Sequence, residues 1–394
     1  MAAQVTGRFA ASTTRISLSL PLAFIRHRAR CHQRRETIWK SSLASPSDNQ
    51  FGDDRLWILG SGSIGLFLAA SIHMAHPQYP LSILLRDHHA DNLIRKDHNE
   101  AHIKVLLEQP SSDCHKPRSA VPVPANLITS LHEDPAVTIR ALVLSTKAFH
   151  AVSALQSIHT HLAADARIVV FCNGALAVRD ELEKAFPSEI HWNTELSSIT
   201  HGAYQNIKHR GSDRCYHVVH AGVGKIFLVH PHPGGDHDLL APGMLNQAGL
   251  NCQVLASPQQ MESILWYKLA ANCVCNPITA IHQCTNGAMK DFVPDLDKVI
   301  ADVVREVCEV QHAIASATGQ SLQLDPLLVT TFVHQVIADN FENRTSMQQD
   351  VWHKRQTEID FLNGYIVRAG DLHGIACPTN LELREQLLQL EANF

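Results

Sequence analysis

Four apolar residues, Leu56 to Leu59, run directly into Gly60-Ser61-Gly62-Ser63-Ile64-Gly65, and an apolar helical pattern through Leu66, Ala69, Ala70 and Ile72 follows without a break. No other stretch constrains the fold as much. A short buried strand must turn sharply into a helix here, and each glycine removes a side chain where one would obstruct. Gly60 permits the tight turn, Gly62 lets a diphosphate approach the backbone, and Gly65 lets the helix pack on the strand. A lone GxGxxG would be weak evidence. Here a second apolar run, Leu81 to Leu85, falls where the next strand of a βαβ unit belongs. The predicted class is therefore α/β, with an N-terminal Rossmann-type domain that binds a dinucleotide through residues 60 to 65.

The residue after the second strand selects the nicotinamide. An acid there would accept from a ribose 2'-hydroxyl and repel a 2'-phosphate, whereas the guanidinium of Arg86 can pair with that phosphate, which favours NADPH over NADH. Asp87 beside it reads as a solvated turn residue or as a source of some NADH tolerance. Ala141 to Ser145 forms another buried strand, and its end at Thr146-Lys147 faces the cofactor crevice. Ile168 to Phe171 is the next, ending at Cys172-Asn173-Gly174. Tyr216 to His220 and Lys225 to Val229 read as a β-hairpin, and the last strand lies near Cys252 to Leu255. Residues 97 to 127, polar and proline-rich, read as a surface excursion with one strand at Ile103 to Leu107.

From Ser257 onward the spacing of apolar residues is helical, over Pro294 to Ala317, Pro326 to Phe341, Thr357 to Leu372 and Leu381 to Leu390. The expected boundaries are a NADPH-binding domain over 54–256 and an all-α domain over 257–394. Ser257 and Pro258 serve as N-cap and first residue of a helix reaching about Cys275. Lys268, Asn272 and Asn276 are each four apart on it, a slanting polar line that turns ~40° per step and can hold a small polar ligand. Equally, Lys268 could snorkel to solvent and the asparagines bond locally. Pro277 is expected to end this helix, with Asn276 capping a second one.

Trp266-x-Lys268-Leu-x-x-Asn272-x-x-x-Asn276-Pro-x-Thr-Ala280, followed by Asn286-Gly287, resembles the central block of the ketopantoate reductase (2-dehydropantoate 2-reductase) family. The resemblance extends over about residues 54 to 390. It takes in Lys147-Ala-Phe149, Asn173-Gly174, the segment around Ala203, Ser346 in Asn343-Arg-Thr-Ser346, and Glu358 in Arg355-Gln-Thr-Glu-Ile-Asp-Phe-Leu-Asn-Gly364. Cys172 departs from the glutamine usual in the family. The resemblance implies NADPH-dependent reduction of 2-dehydropantoate to pantoate, a step toward pantothenate and coenzyme A, with Lys268 as proton donor and Glu358 aiding it. It implies substrate contacts from Asn173, Asn272, Asn276, Asn286 and Ser346, and cofactor contacts from Lys147, Asn173, Ala203 and Glu358. Without it, Ser346 reads as a capping box with Gln349, and Glu358 as a first-turn acid of a helix restarting at Thr357. On one straight helix Ser346 and Glu358 would stand ~18 Å apart, so a break between them is expected if both act. Alternatives are a reductase of another branched 2-keto acid and a non-catalytic NADPH-binding mitochondrial scaffold.

Net charge is -5, yet residues 1–50 carry eight Arg or Lys against Glu36 and Asp48. An acidic body of this kind gives no electrostatic reason to bind nucleic acid. The Arg-, Ser- and Ala-rich N-terminal segment has the composition of a mitochondrial transit peptide, or else is a tail with no address on a cytoplasmic protein. No segment reads as transmembrane. The ten cysteines show no C-x-x-C pair and no zinc spacing, which fits a reduced compartment, and His230-Pro-His232 with His237 reads as a solvated loop before a metal site. The expected partner is a small keto acid. Oligomeric state stays open, a homodimer included.

Overall fold

β1 (Leu56–Leu59), α1 (Ser63–Ala75) and β2 (Leu81–Leu85) form the βαβ unit that the glycine pattern predicts, with β1 and β2 parallel and Leu56 opposite Leu81. Every residue of β1 is buried because the sheet is covered on both faces: Leu56 and Ile58 pack with α1, while Trp57 and Leu59 enter a second core on the other side. Gly60 has φ +128°, and a Cβ there would lie 2.7 Å from the Ser145 carbonyl carbon. A Cβ on Gly65 would lie 1.9 Å from the Gly60 carbonyl oxygen, whereas one on Gly62 meets nothing closer than 3.8 Å. The middle glycine alone faces open space.

The computed structural model describes residues 55–85, 94–97, 100–108, 120–128, 137–187, 193–210, 213–229 and 240–394. The basic N-terminal segment, Arg86, Asp87 and the His230 to His237 run lie outside them. The strands that follow are β3 (Ile94–Asp97), β4 (Glu100–Glu108), β5 (Ala120–Leu127), β6 (Ile139–Leu144), β7 (Leu162–Val170), β8 (Asn193–Leu196), β9 (Ser198–Ile199), β10 (Gly202–Arg210), β11 (Asp213–Gly222), β12 (Ile226–Val229) and β13 (Cys252–Leu255). Helices α2 (Ala151–Gln156), α3 (Ala175–Ala185) and α4 (Pro242–Gln247) are interspersed. The main sheet runs β10-β11-β4-β5-β2-β1-β6-β7-β8, with β3 on β4, and is parallel from β5 through β8. The smaller sheet is β13-β12-β9.

Two readings of this half need correction. The supposed excursion contributes two central strands, β4 and β5. Their apolar residues alternate as strands require, Ile103, Val105 and Leu107 against Val121, Val123 and Ala125, but Pro122 and Pro124 disguise the pattern. Those prolines are tolerated because β2 pairs with β5 only from Ala125 onward. Nor do β11 and β12 make a hairpin: β11 pairs antiparallel with β10, and β12 with β9 and β13 in the smaller sheet. Gly224 approaches Thr200 and His201 closely, as a chain leaving one sheet for the other must.

The C-terminal domain is largely helical: α5 (Pro258–His282), α6 (Met289–Phe292), α7 (Leu296–Thr318), α8 (Pro326–Asp339), α9 (Ser346–Trp352), α10 (Asn363–His373) and α11 (Pro378–Glu391). Ser257 caps α5 as expected, its hydroxyl accepting from Gln260 N at 3.3 Å. The expected stop at Pro277 does not occur. Pro277 sits inside α5, and the carbonyl four residues back, that of Cys273, accepts 2.9 Å from Asn363 Nδ2 instead of from a backbone amide. The buried face of α5, including Trp266, Leu269 and Val274, shares one core with Trp57, Leu59 and Leu144 of the sheet. Among the described residues no helix is long and apolar enough to cross a membrane.

Gly65→Ala should cost stability by about 1–3 kcal/mol, because the new methyl meets backbone that cannot yield. Gly62→Ala should leave the thermal midpoint near wild type while weakening dinucleotide binding read by NAD(P)H fluorescence. Equal destabilisation of both variants would contradict the packing described for the turn.

Candidate active site

Parallel strands deliver their C-terminal ends to one edge of the sheet, so the loops after β1, β6 and β7 meet there. Ser145 N donates to Leu59 O at 2.9 Å, Ser145 Oγ to Gly60 O at 3.2 Å, and Phe171 N to Leu144 O at 2.8 Å. These bonds place Lys147 and Asn173 beside the glycine turn. Gly174, at φ +64°, starts α3, and a Cβ there would lie 2.5 Å from the Phe361 carbonyl oxygen. This close approach brings the 3₁₀ turn Ile359–Phe361 of the helical domain against the strand ends.

Glu358 stands just before that turn and is buried. One carboxylate oxygen accepts from Ala148 N at 2.9 Å, and the other from Asn173 Nδ2 at 3.3 Å with Lys147 Nζ at 3.7 Å. Lys147 also donates a short hydrogen bond to buried Asp350, whose other oxygen is 3.2 Å from Arg355 Nε. Burial would lower the Lys147 pKa, but the carboxylates of Glu358 and Asp350 outweigh it and hold it above its usual value. Sequence reasoning placed Lys147 and Glu358 at the site but gave no role to Asp350, which carries no local signal, or to Arg355, which opens the motif bearing Glu358.

Lys268 projects from α5 beneath this cluster and donates to Ile199 O at 3.0 Å. Burial lowers its pKa to about 8, against the opposing pull of Glu358 and Cys172. The Cys172 thiol donates to Leu144 O at 3.6 Å, and burial with the nearby Glu358 pushes its pKa up to about 12. Lys268, Asn272 and Cys172 line a narrow, partly open pocket whose apolar wall includes Leu265, Leu269 and Leu362. Leu265, Lys268, Leu269 and Asn272 follow helical spacing, so one face of α5 forms one wall of the pocket. The side chains of Asn272 and Asn276 make no hydrogen bond to any described residue; Asn272 lines the pocket, whereas Asn276, one turn on, is buried and is not among the lining residues.

The break expected between Ser346 and Glu358 is present, since α9 ends at Trp352. The capping details differ. Thr345, not Ser346, caps α9 by accepting from Gln348 N at 3.2 Å, because it occupies the extended position before the first helical residue. Ser346 is exposed, on the α9 face that four residues later carries Asp350. Thr357 does not start a helix; its hydroxyl accepts from Ile359 N, and α10 begins only at Asn363. Asn286 Nδ2 donates to Asn340 O at 3.1 Å, and its backbone amide to Asn343 O at 3.1 Å, so it fastens the loop leading to Ser346. Its side-chain oxygen has no partner among the described residues. Ala203 lies at a register shift at the start of β10.

The family models for "Ketopantoate reductase PanE/ApbA" and "Ketopantoate reductase PanE/ApbA C terminal" match residues 56–229 and 260–391. The chain belongs to the ketopantoate reductase family. It is 33% identical to the 2-dehydropantoate 2-reductase of Vibrio cholerae over 68% of this chain and 81% of that protein. The 2-dehydropantoate 2-reductase of Salmonella typhi is 29% identical over 64% and 75%. In fold it resembles a PanE/ApbA family ketopantoate reductase from Ralstonia eutropha, with TM-score 0.62 and 22% identity over 86% of this chain and 99% of that one. A D-mandelate dehydrogenase solved with NADH and anilino(oxo)acetate gives TM-score 0.66 at 20% identity, over 86% and 98%. The chain is thus an oxidoreductase of the dinucleotide-dependent class acting on CH-OH groups.

In this reductase Lys268 is held charged at a cost. Its folded pKa of about 8 lies below the unfolded value, so the unfolded chain binds more protons between those two values and stability rises with pH through that window. Lys268→Met should therefore raise the thermal stability at pH 7 by up to about 2 kcal/mol while removing activity. Calorimetry at pH 7 and pH 9.5 tests it: the gain should shrink at the higher pH.

Proposed function

We propose that the chain reduces 2-dehydropantoate to pantoate with NADPH, Lys268 supplying the proton. The observation that carries this reading is a cationic Lys268 at the wall of a pocket that also presents Asn272, beside a buried Glu358. The glycine turn fits a dinucleotide: Gly62 leaves open space, and α1 begins there with no side-chain cap on its first amides. When bound, the reduced nicotinamide supplies the hydride. As negative charge grows on the C2 oxygen of the keto acid, the ammonium of Lys268 stabilises it and transfers a proton. Asn272 and Asn276 orient the substrate's polar groups, with Asn173, Asn286 and Ser346 as the further substrate contacts. Glu358 holds Asn173 and the Lys147 loop in place and, through its charge, keeps Lys268 protonated to higher pH than burial alone would allow.

The preference for NADPH rests on Arg86, and a mitochondrial location on the composition of residues 1–50. A second reading, another branched 2-keto acid, is favoured by the compact Cys172 and the apolar wall of Leu265, Leu269 and Leu362, which suit a different alkyl substituent.

The decisive assay is the initial rate of NADPH oxidation with 2-dehydropantoate by the purified protein. Lys268→Ala should lose about 100-fold or more in kcat, the scale for a positioned acid. The wild-type rate should fall above about pH 8, where Lys268 gives up its proton. A rate unchanged up to about pH 9.5, or a fully active Lys268→Ala, would remove Lys268 from this role. Turnover of other branched keto acids but not of 2-dehydropantoate would select the second reading.

A further inference from the structure

Pro277 sets a problem that the fold answers at one point. A proline inside a helix has no N–H to give the carbonyl four residues earlier, and its ring crowds that carbonyl. In α5 the carbonyl is that of Cys273, deep in the core, where an unpaired acceptor is costly. Asn363 Nδ2 donates to it at 2.9 Å. The same nitrogen donates to Asn380 Oδ1 at 3.0 Å, and Asn380 in turn gives its amide nitrogens to buried Glu306, Nδ2 at 2.8 Å and N at 3.0 Å. Asn363 and Asn380 are fully buried, so this is a fixed relay through α10, α11 and α7 and not a surface network.

Its two ends bear on the site. Cys273 lies between Asn272 and Asn276 on α5, and Asn363 lies five residues after Glu358. We propose that Asn363 is a positioning residue for the reductase reaction: it replaces the hydrogen bond that Pro277 removes, and so fixes the stretch of α5 bearing Asn272 and Asn276 relative to the segment bearing Glu358. A plain α-helix at this place would need no such donor. The proline creates an acceptor on the helix flank, and the acceptor gives the Glu358 segment a place to attach. The inference rests on the keto-acid reading of the pocket, since it assigns the asparagines to substrate.

Asn363 and Pro277 should therefore be energetically coupled. With Asn363→Ala the Cys273 carbonyl loses its donor, and KM for the keto acid should rise about tenfold or more, while kcat falls less and NADPH affinity stays within about twofold of wild type. Pro277→Ala alone should be close to wild type, because a carbonyl accepts two bonds. In the double variant Pro277→Ala/Asn363→Ala, the backbone amide restored at position 277 can close the ordinary helical bond to Cys273. KM should then return most of the way to wild type and the thermal midpoint part of the way, since Asn380 Oδ1 still lacks the donor it had in Asn363. A double variant no better than Asn363→Ala would overturn the proposal. So would an Asn363→Ala that weakens NADPH and keto acid equally, or one with unchanged KM. If Asn363→Ala is insoluble, recovery of soluble, active protein in the double variant supports the coupling, and its failure overturns it. Absence of turnover by the wild type with any 2-keto acid would instead strike the functional reading, and the four midpoints would still decide whether the two residues are coupled.

Discussion

The site depends on one buried carboxylate. Taking a carboxylate out of water costs several kcal/mol unless donors surround it, and Glu358 finds them only where the two domains meet. Its partners Ala148 N, Asn173 Nδ2 and Lys147 belong to loops after β6 and β7, while Glu358 itself comes from the helical domain. Any other relative placement would leave it unpaired, so the carboxylate acts as a positional lock. The same charge raises Lys268 against the effect of burial. Structure and electrostatics therefore share an origin: what joins the domains also keeps a desolvated ammonium charged near neutral pH.

A lock of this kind requires that its own segment be rigid, and α11 provides this. Glu391 accepts from the Thr357 backbone amide at 3.0 Å and from its hydroxyl, Arg384 Nε donates to Asp360 Oδ1 at 2.6 Å, and Asn380 accepts from Asn363. One helix face thus grips the 357–363 segment at its start, middle and end. The conformational freedom of a short irregular stretch, worth roughly 1–2 kcal/mol per residue, is removed before substrate arrives.

The sequence made the α/β class, the glycine turn, the strand ends and the polar line on α5 legible, because each is a local pattern of period two, 3.6 or fixed spacing. What it hid was non-local. β4 was legible at Ile103 to Leu107, but β5 was obscured by Pro122 and Pro124, whose tolerance depends on where β2 pairs. The continuity of α5 through Pro277 depends on Asn363, 86 residues on. Asp350 lies on an ordinary-looking helix and matters only because Lys147 meets it across the domain junction. The roles of Asn272, Asn276 and Ser346 came from resemblance; the geometry adds that the two asparagines are unengaged and that Thr345 does the capping.

The carbonyl that receives Lys268 has its own support, and its chemistry bears on the pH response. Ile199 precedes Thr200 and His201, and Gly224 N donates to His201 Nδ1 at 3.1 Å. That nitrogen is therefore an acceptor, so the ring proton resides on Nε2, which donates to Leu250 O at 2.9 Å. His220 Nε2, 2.9 Å from the same Nδ1, must also act as a donor. Protonating His201 would leave two donors facing it, and burial lowers its pKa. Burial and His201 lower that of His220 to about 4. The pair stays neutral across the physiological range, with Phe67 of the glycine helix against both rings. The support beneath Lys268 is thus insensitive to pH where the lysine is not. A change in rate near pH 8 then reports the ammonium itself and not a rearrangement of the strand that holds it.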